Sequence, residues 1–303
     1  MSTTDPESKA ARGAAGGDVE RVVFESLGLD LVAWALGDRD KPPLVCVHGY
    51  LDQGRSFLPT ARRLAADYRV IMPDLRGHGE SGRVGPGGYY HFPDYALDLQ
   101  ALMDHLGLER AAFVGHSMGA SVVTYFAGAC PERATAVAML DAIGPVHMPI
   151  DTSAELMRAF LRDTPHARLR PEPAMEDLAH VVARMRRAAP LGDDAVLTEI
   201  AGYATSETAA GERVWRFDPL HRTRGAIPFD ERRFAVFLAA ITCPTLVVWG
   251  ERSPFRVPGV EARAQQLRDV TTATLPDLGH NMHHERPEAL GELLRSFLVN
   301  ALP

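Results

Sequence analysis

Cysteine is scarce. Cys46, Cys130 and Cys243 are the only three in 303 residues, and they are scattered. That is too few, at the wrong spacing, for a disulfide framework or a zinc site. No basic stripe runs through the chain and the formal net charge is −7, which favours solubility and argues against non-specific nucleic-acid binding. No apolar run is long enough to span a membrane. Residues 1–18 are polar and rich in alanine, glycine and serine. They lack the apolar centre of a secretory signal, so they are expected to form a flexible tail outside the fold, with the cytoplasm as the default location. No glycine-rich loop suits a nucleotide, no cluster has metal-ligand spacing, and there is no internal repeat, so no motif asks for a cofactor or a metal.

What is present reads as alternating strands and helices. Val19 to Ser26 and Leu29 to Leu36 alternate as an opening hairpin, with Gly28 near the turn. Leu44-Val45-Cys46-Val47 is a continuous apolar run, as expected of a strand buried on both faces. A helix over Phe57–Ala66, a strand over Tyr68–Met72, a helix over Phe92–Leu106 and strands over Ala111–Val114 and Thr135–Leu140 follow. That order predicts a parallel sheet with crossover helices. From about Val146 to Phe234 strand character fades. Helical stretches at Ser153–Arg162, Met175–Arg187 and Asp194–Tyr203 replace it, so 146–234 is expected to be an insert in a core formed by 19–145 and 235–303. The core pattern resumes with a strand at Thr245–Gly250, a helix at Val260–Leu267, a strand at Thr272–Leu275 and a helix from Pro287 to Leu298. At this length one α/β domain with an insert fits better than two independent domains.

The most informative segment is Gly115-His116-Ser117-Met118-Gly119, set between an apolar strand and a helix. Strand, Gly-x-Ser-x-Gly, helix is the setting of a nucleophile elbow. A serine on so sharp a turn sits in a strained backbone, and a Cβ at either flanking glycine would crowd its neighbours. The helix N-terminus beside it favours developing negative charge. Together with His48-Gly49 and Gly279-His280, this segment resembles the α/β-hydrolase superfamily from about Val22 to Leu298, the insert excepted. The resemblance implies an eight-stranded, mostly parallel sheet wrapped by helices on both faces, with the insert as a helical cap. It also implies a Ser, Asp/Glu, His triad in that chain order and an oxyanion hole.

Ser117 is then the nucleophile, and it needs a base held by a third group. His280, in the loop after the last strand, matches the superfamily's histidine. His48 and His78 fall in loops that the superfamily uses for support, as do Asp74 and Arg76. His283 and His284 are read as a loop face toward the insert or solvent. The acid departs from the pattern. The usual Gly-x-x-Asp after the seventh strand is here Gly250-Glu251-Arg252-Ser253, with serine at the acid's place. Asp141, at the end of the sixth strand, is the first alternative, because that strand neighbours the nucleophile strand. Some haloalkane dehalogenases place their acid there, and mammalian serine hydrolase-like proteins resemble this chain around His48–Asp52 and Leu140-Asp141. Glu251 is the second candidate, while Asp277 lies too close in sequence to His280. Dehalogenase and epoxide-hydrolase chemistry are excluded, because both need a carboxylate where Ser117 stands. The resemblance assigns the oxyanion hole to the backbone N–H groups of Tyr50 and Met118.

In the insert, Arg184, Arg186 and Arg187 read as a solvated helix face rather than an anion clamp, and Trp215 and Phe217 as packing. Met148 and Met157 suit an adaptable apolar wall. The expected function is cofactor-free hydrolysis of an ester or thioester of a small-molecule acyl substrate. Carbon–carbon hydrolysis, perhydrolysis, or a non-catalytic binding role on the same scaffold stay open.

Overall fold

The computed structural model describes residues 18–170 and 173–301. Except for Asp18, the expected N-terminal tail lies outside the described residues. The chain opens with β1 (Glu20–Ser26) and β2 (Leu29–Leu36), paired antiparallel with Ser26 opposite Leu29, so the turn is only two residues. Both turn residues have positive φ (51° and 73°), the two-residue geometry that matches strand twist.

Next come β3 (Pro43–Val47), α1 (Leu58–Leu64), β4 (Arg69–Pro73) and α2 (Phe92–His105). They are followed by β5 (Ala111–His116), α3 (Met118–Ala129) and β6 (Ala134–Leu140). The sheet order is β1-β2-β4-β3-β5-β6, completed by β9 (Thr245–Gly250) and β10 (Val270–Leu275). Only the pairings of β2, with β1 and with β4, are antiparallel; the other five are parallel.

The continuous apolar runs have a physical cause. Side chains alternate faces along a strand, and both faces are covered. Val45, Val47 and Phe113 pack with the cluster that includes Leu99, Val122, Phe126 and Phe234. Leu44, Cys46, Ala112 and Val114 join the opposite cluster with Leu58, Leu64, Leu290 and Leu294.

Between β6 and β9 lie α4 (Ser153–Asp163), α5 (Leu178–Met185), α6 (Asp194–Ala204), a short hairpin of β7 (Thr205–Glu207) and β8 (Arg213–Trp215), and α7 (Glu231–Ala240). The hairpin departs from the strand-poor expectation: three-residue strands are too short to show alternation. The helix expected over Met175–Arg187 is shorter, because Asp177 caps α5 by accepting from His180 N at 2.8 Å and Met175 is instead bridged to Arg213. Helix α7 runs through the boundary expected at residue 234, with Phe234 and Leu238 buried against the main core. The helix expected at Val260–Leu267 is a single turn, α8 (Pro258–Glu261), continued as a 3₁₀ segment. Two helices close the chain, α9 (Met282–Glu285) and α10 (Pro287–Ala301).

Candidate active site

Strand β5 delivers Ser117 to the turn before α3 with φ 52° and ψ −113°, a region that non-glycine residues enter only under constraint. The constraint is close packing. A Cβ at Gly119 would lie 2.2 Å from the Val47 carbonyl oxygen, and one at Gly115 would lie 2.6 Å from Ala120 N. Ser117 N donates to the Leu140 carbonyl at 3.0 Å, which ties the elbow to the end of β6.

One residue beyond, Asp141 is fully buried with φ 54°. Its backbone N donates to Val248 O at 2.8 Å. Its carboxylate meets three donors. Gly250 N donates to Oδ1 at 2.9 Å, His280 Nδ1 stands 2.6 Å from Oδ2, and Ser253 Oγ donates to the same oxygen. A buried carboxylate without donors would be costly; three partners offset that cost. Sheet order explains the meeting, because β6 and β9 are neighbours and their C-terminal ends lie side by side. Glu251 points elsewhere, accepting from Asp277 N at 2.9 Å on the exposed surface, and Asp277 pairs with Arg252.

The histidine loop is held from behind. His116 Nε2 lies 2.9 Å from the His280 carbonyl oxygen, and the His116 and His280 rings are 4.6 Å apart. His283 and His284, expected on a loop face, are instead buried. His283 stacks on Phe57 at 4.7 Å, and its Nε2 is 3.2 Å from Asp52 Oδ2. The short α9 turns these side chains inward, which a loop reading misses. Burial pushes the His283 imidazole down to about 4 and holds that of His116 well below the usual histidine range, so both are neutral near pH 7. Asp52, His116 and His283 bring ligand-type atoms within 4.8 Å of one another. Positions 52, 116 and 283 carry no spacing signal in the sequence.

The loops read as supporting do support. His48 Nδ1 faces the Gly49 carbonyl at 2.7 Å and its Nε2 accepts from Leu75 N at 3.0 Å. Asp74 accepts from Gly54 N at 2.7 Å, Glu80 N at 2.9 Å and Trp34 Nε1 at 3.2 Å. Arg76 binds Asp98 through two nitrogens, at 2.7 and 2.5 Å. The loop after β3 passes close to the elbow: a Cβ on Gly49 would lie 3.3 Å from the Ser117 Cβ. The next residue, Tyr50, shares a cavity wall with Met118.

That cavity measures about 880 Å³ and also reaches Ser117, Asp141 and His280. Met148, Leu156, Phe160 and Leu220 of the insert contribute to its lining. Met148 is therefore at the wall as expected, whereas Met157 is exposed and outside it. The three arginines 184, 186 and 187 do not line it; Arg186 is engaged with Gly192 O and Asp194. Trp215 and Phe217 stack on each other at 6.2 Å, also away from the cavity.

Residues 42–287 match the family described as alpha/beta hydrolase fold. The chain is an α/β hydrolase. Esterase YbfF of Escherichia coli K12 is 25% identical to the hydrolase over 275 residues, covering 87% of this chain and 96% of that protein. A bifunctional esterase/perhydrolase of Acinetobacter calcoaceticus is 24% identical, covering 89% and 96%. Among solved structures, a hypothetical protein of Pseudomonas aeruginosa PAO1 superimposes with a TM-score of 0.83 at 28% identity, covering 93% of this chain and 99% of that one. A thioesterase domain from the curacin biosynthetic pathway gives 0.79 at 26%, covering 92% and 100%.

Two residues of the hydrolase escape sequence reading. Ser253 registers there only as a missing acid, although it donates to the Asp141 carboxylate. The signal that finds it is strand adjacency: an acid at the end of β6 must meet whatever ends β9. His116 reads as the variable residue of the elbow, yet it braces the His280 backbone.

Proposed function

We propose that this hydrolase cleaves carboxylic esters or thioesters through an acyl-enzyme on Ser117, with His280 as base and Asp141 as the orienting acid. The observation that carries the reading is the 2.6 Å contact between His280 Nδ1 and the buried Asp141 carboxylate, beside a serine held in a strained elbow. In this mechanism Ser117 attacks the carbonyl carbon and His280 Nε2 takes its proton. The oxyanion receives the Tyr50 and Met118 N–H groups, each worth roughly 3 to 4 kcal/mol of transition-state stabilisation. His280 then protonates the leaving oxygen or sulfur, and water activated by the same ring releases the acid. Asp141 fixes the tautomer and stabilises the imidazolium without taking the proton. Ser253 and Gly250 hold Asp141 in place, so the serine at the usual acid position is part of the relocated acid's support. The insert 146–234 acts as the cap that roofs the cavity and selects the substrate. Esterases and a thioesterase among the relatives support the reaction class. A reducing, cytoplasmic setting belongs to the same reading; all three cysteines are free.

A fluorophosphonate probe tests the proposal, with ester turnover read alongside. Wild type is expected to gain one phosphonyl group on Ser117 (the probe mass less HF, as fluoride leaves) and to hydrolyse short p-nitrophenyl esters. Ser117→Ala is expected to do neither. A folded wild type that resists the probe and turns over no ester would instead support a binding role.

A further inference from the structure

Five of the chain's seven tyrosines line the cavity, joined by Phe92, Phe160, Phe229 and Phe255. In a protein with 7% aromatic residues this is a concentration, and its chemistry is specific. Three of the tyrosine hydroxyls are already committed. Tyr50 Oη donates to His221 O at 2.6 Å, Tyr90 Oη to Asp218 Oδ2 at 2.8 Å, and Tyr89 Oη lies 2.9 Å from Thr223 Oγ1. What these rings offer a ligand is therefore carbon surface rather than hydrogen bonds.

The rings are also braced by one another. Tyr89 meets Phe160 edge-on at 5.0 Å, and Tyr125 meets Phe234 edge-on at 5.3 Å, with Phe229 against the same Phe234 at 5.3 Å. Edge-to-face pairs fix ring planes, and a wall fixed before binding favours rigid, flat ligands over chains that must lose rotamer freedom. The charged lining residues are occupied or peripheral. Asp141 is committed to its three donors. Asp230 caps α7 through Arg232 N and Arg233 N, at 3.0 and 3.2 Å, and Arg224 faces Glu155 at 3.9 Å. Arg233 is exposed to solvent. Among the described lining residues no buried charge is left for a substrate carboxylate.

We infer that the substrate is an ester or thioester bearing an uncharged aromatic or fused-ring group, seated among Tyr89, Tyr125, Phe160 and Phe229. This rests on the hydrolase reading above. Two ester series test it, followed by pH-indicator turnover. One is methyl 2-naphthylacetate, methyl dodecanoate and monomethyl sebacate, the last keeping one free carboxylate. The other is acetates of 2-naphthylethanol and dodecanol. The naphthyl member of at least one series is expected to exceed its linear partner about 30-fold in kcat/KM, with the anionic sebacate lower still. The naphthyl preference should fall about tenfold in Phe160→Leu and in Phe229→Leu, two variants that keep apolar volume and lose the ring. Linear esters equal to or better than the naphthyl ones in both series would overturn the inference. So would a preference for the anionic ester, which would assign a binding role to Arg233. Calorimetric binding of the same esters to Ser117→Ala separates the two claims. Naphthyl-selective binding without wild-type turnover would sink the hydrolase reading and keep the ligand class. Turnover with no naphthyl preference would do the reverse.

Discussion

At the residue scale the unusual feature is Ser253. In the resembling superfamily its position carries the acid; here its hydroxyl donates to an acid supplied by another strand. A hydrogen bond to a charged, buried acceptor is worth about 1.5–3 kcal/mol. Asp141 keeps two further donors, so removing the hydroxyl should loosen the carboxylate rather than expel it. Ser253→Ala is therefore expected to lower kcat about tenfold with little change in KM, measured on a short p-nitrophenyl ester. A wild-type kcat would mean that the contact is incidental to the relay. His116 and His283 belong to the same scale. Both are buried histidines that carry no charge near neutrality, and His116 braces the backbone of the His280 loop.

At the element scale the question is what joins the insert to the core. Asp218 is buried and its backbone N donates to Gly77 O at 2.7 Å. Its side chain accepts from Leu220 N, Arg168 and Tyr90, which links the insert to the loop before α2. Tyr90→Phe removes one of these bonds and should cost about 1–2 kcal/mol. A melting temperature lowered by several degrees is expected, with KM for large esters rising more than kcat falls; unchanged melting would show that the Tyr90–Asp218 bond does not help to hold the insert. Elements of the core were legible in the sequence because physics gave them a period. Strands β3, β5 and β9 are unbroken apolar runs, and α2 and α10 repeat apolar residues every three or four positions. Hairpin β7–β8 was not legible, since strands of three residues are too short to show alternation. The candidate site divides the same way. Ser117 and His280 are readable from local motifs. Asp141 could only be ranked against Glu251, because choosing between them requires the order of β6 and β9 in the sheet.

At the scale of the whole molecule, burial of histidine sets a pH limit. His221 and His283 are each pushed down to about 4 by burial, against 6.5 in an exposed chain. Between those values the unfolded chain binds more protons than the folded one, so stability rises with pH across the window. The contribution is complete above pH 6.5 and is lost as pH falls toward 4, on the order of 3 kcal/mol for each group. Urea melts at pH 7, 5.5 and 4.5 should show a falling midpoint, and His283→Asn should flatten the slope; a midpoint indifferent to pH would contradict both assignments. The same whole-molecule view carries the central claim, since residues 117, 141 and 280 come from three separate stretches that only the completed sheet unites. The rate of fluorophosphonate labelling in Asp141→Asn and Glu251→Gln, beside wild type, tests it most directly. The relay predicts a rate lower by roughly 10³ to 10⁴ in Asp141→Asn, with the far-ultraviolet spectrum intact and Glu251→Gln like wild type. Rapid labelling of Asp141→Asn, with the loss in Glu251→Gln instead, would contradict it.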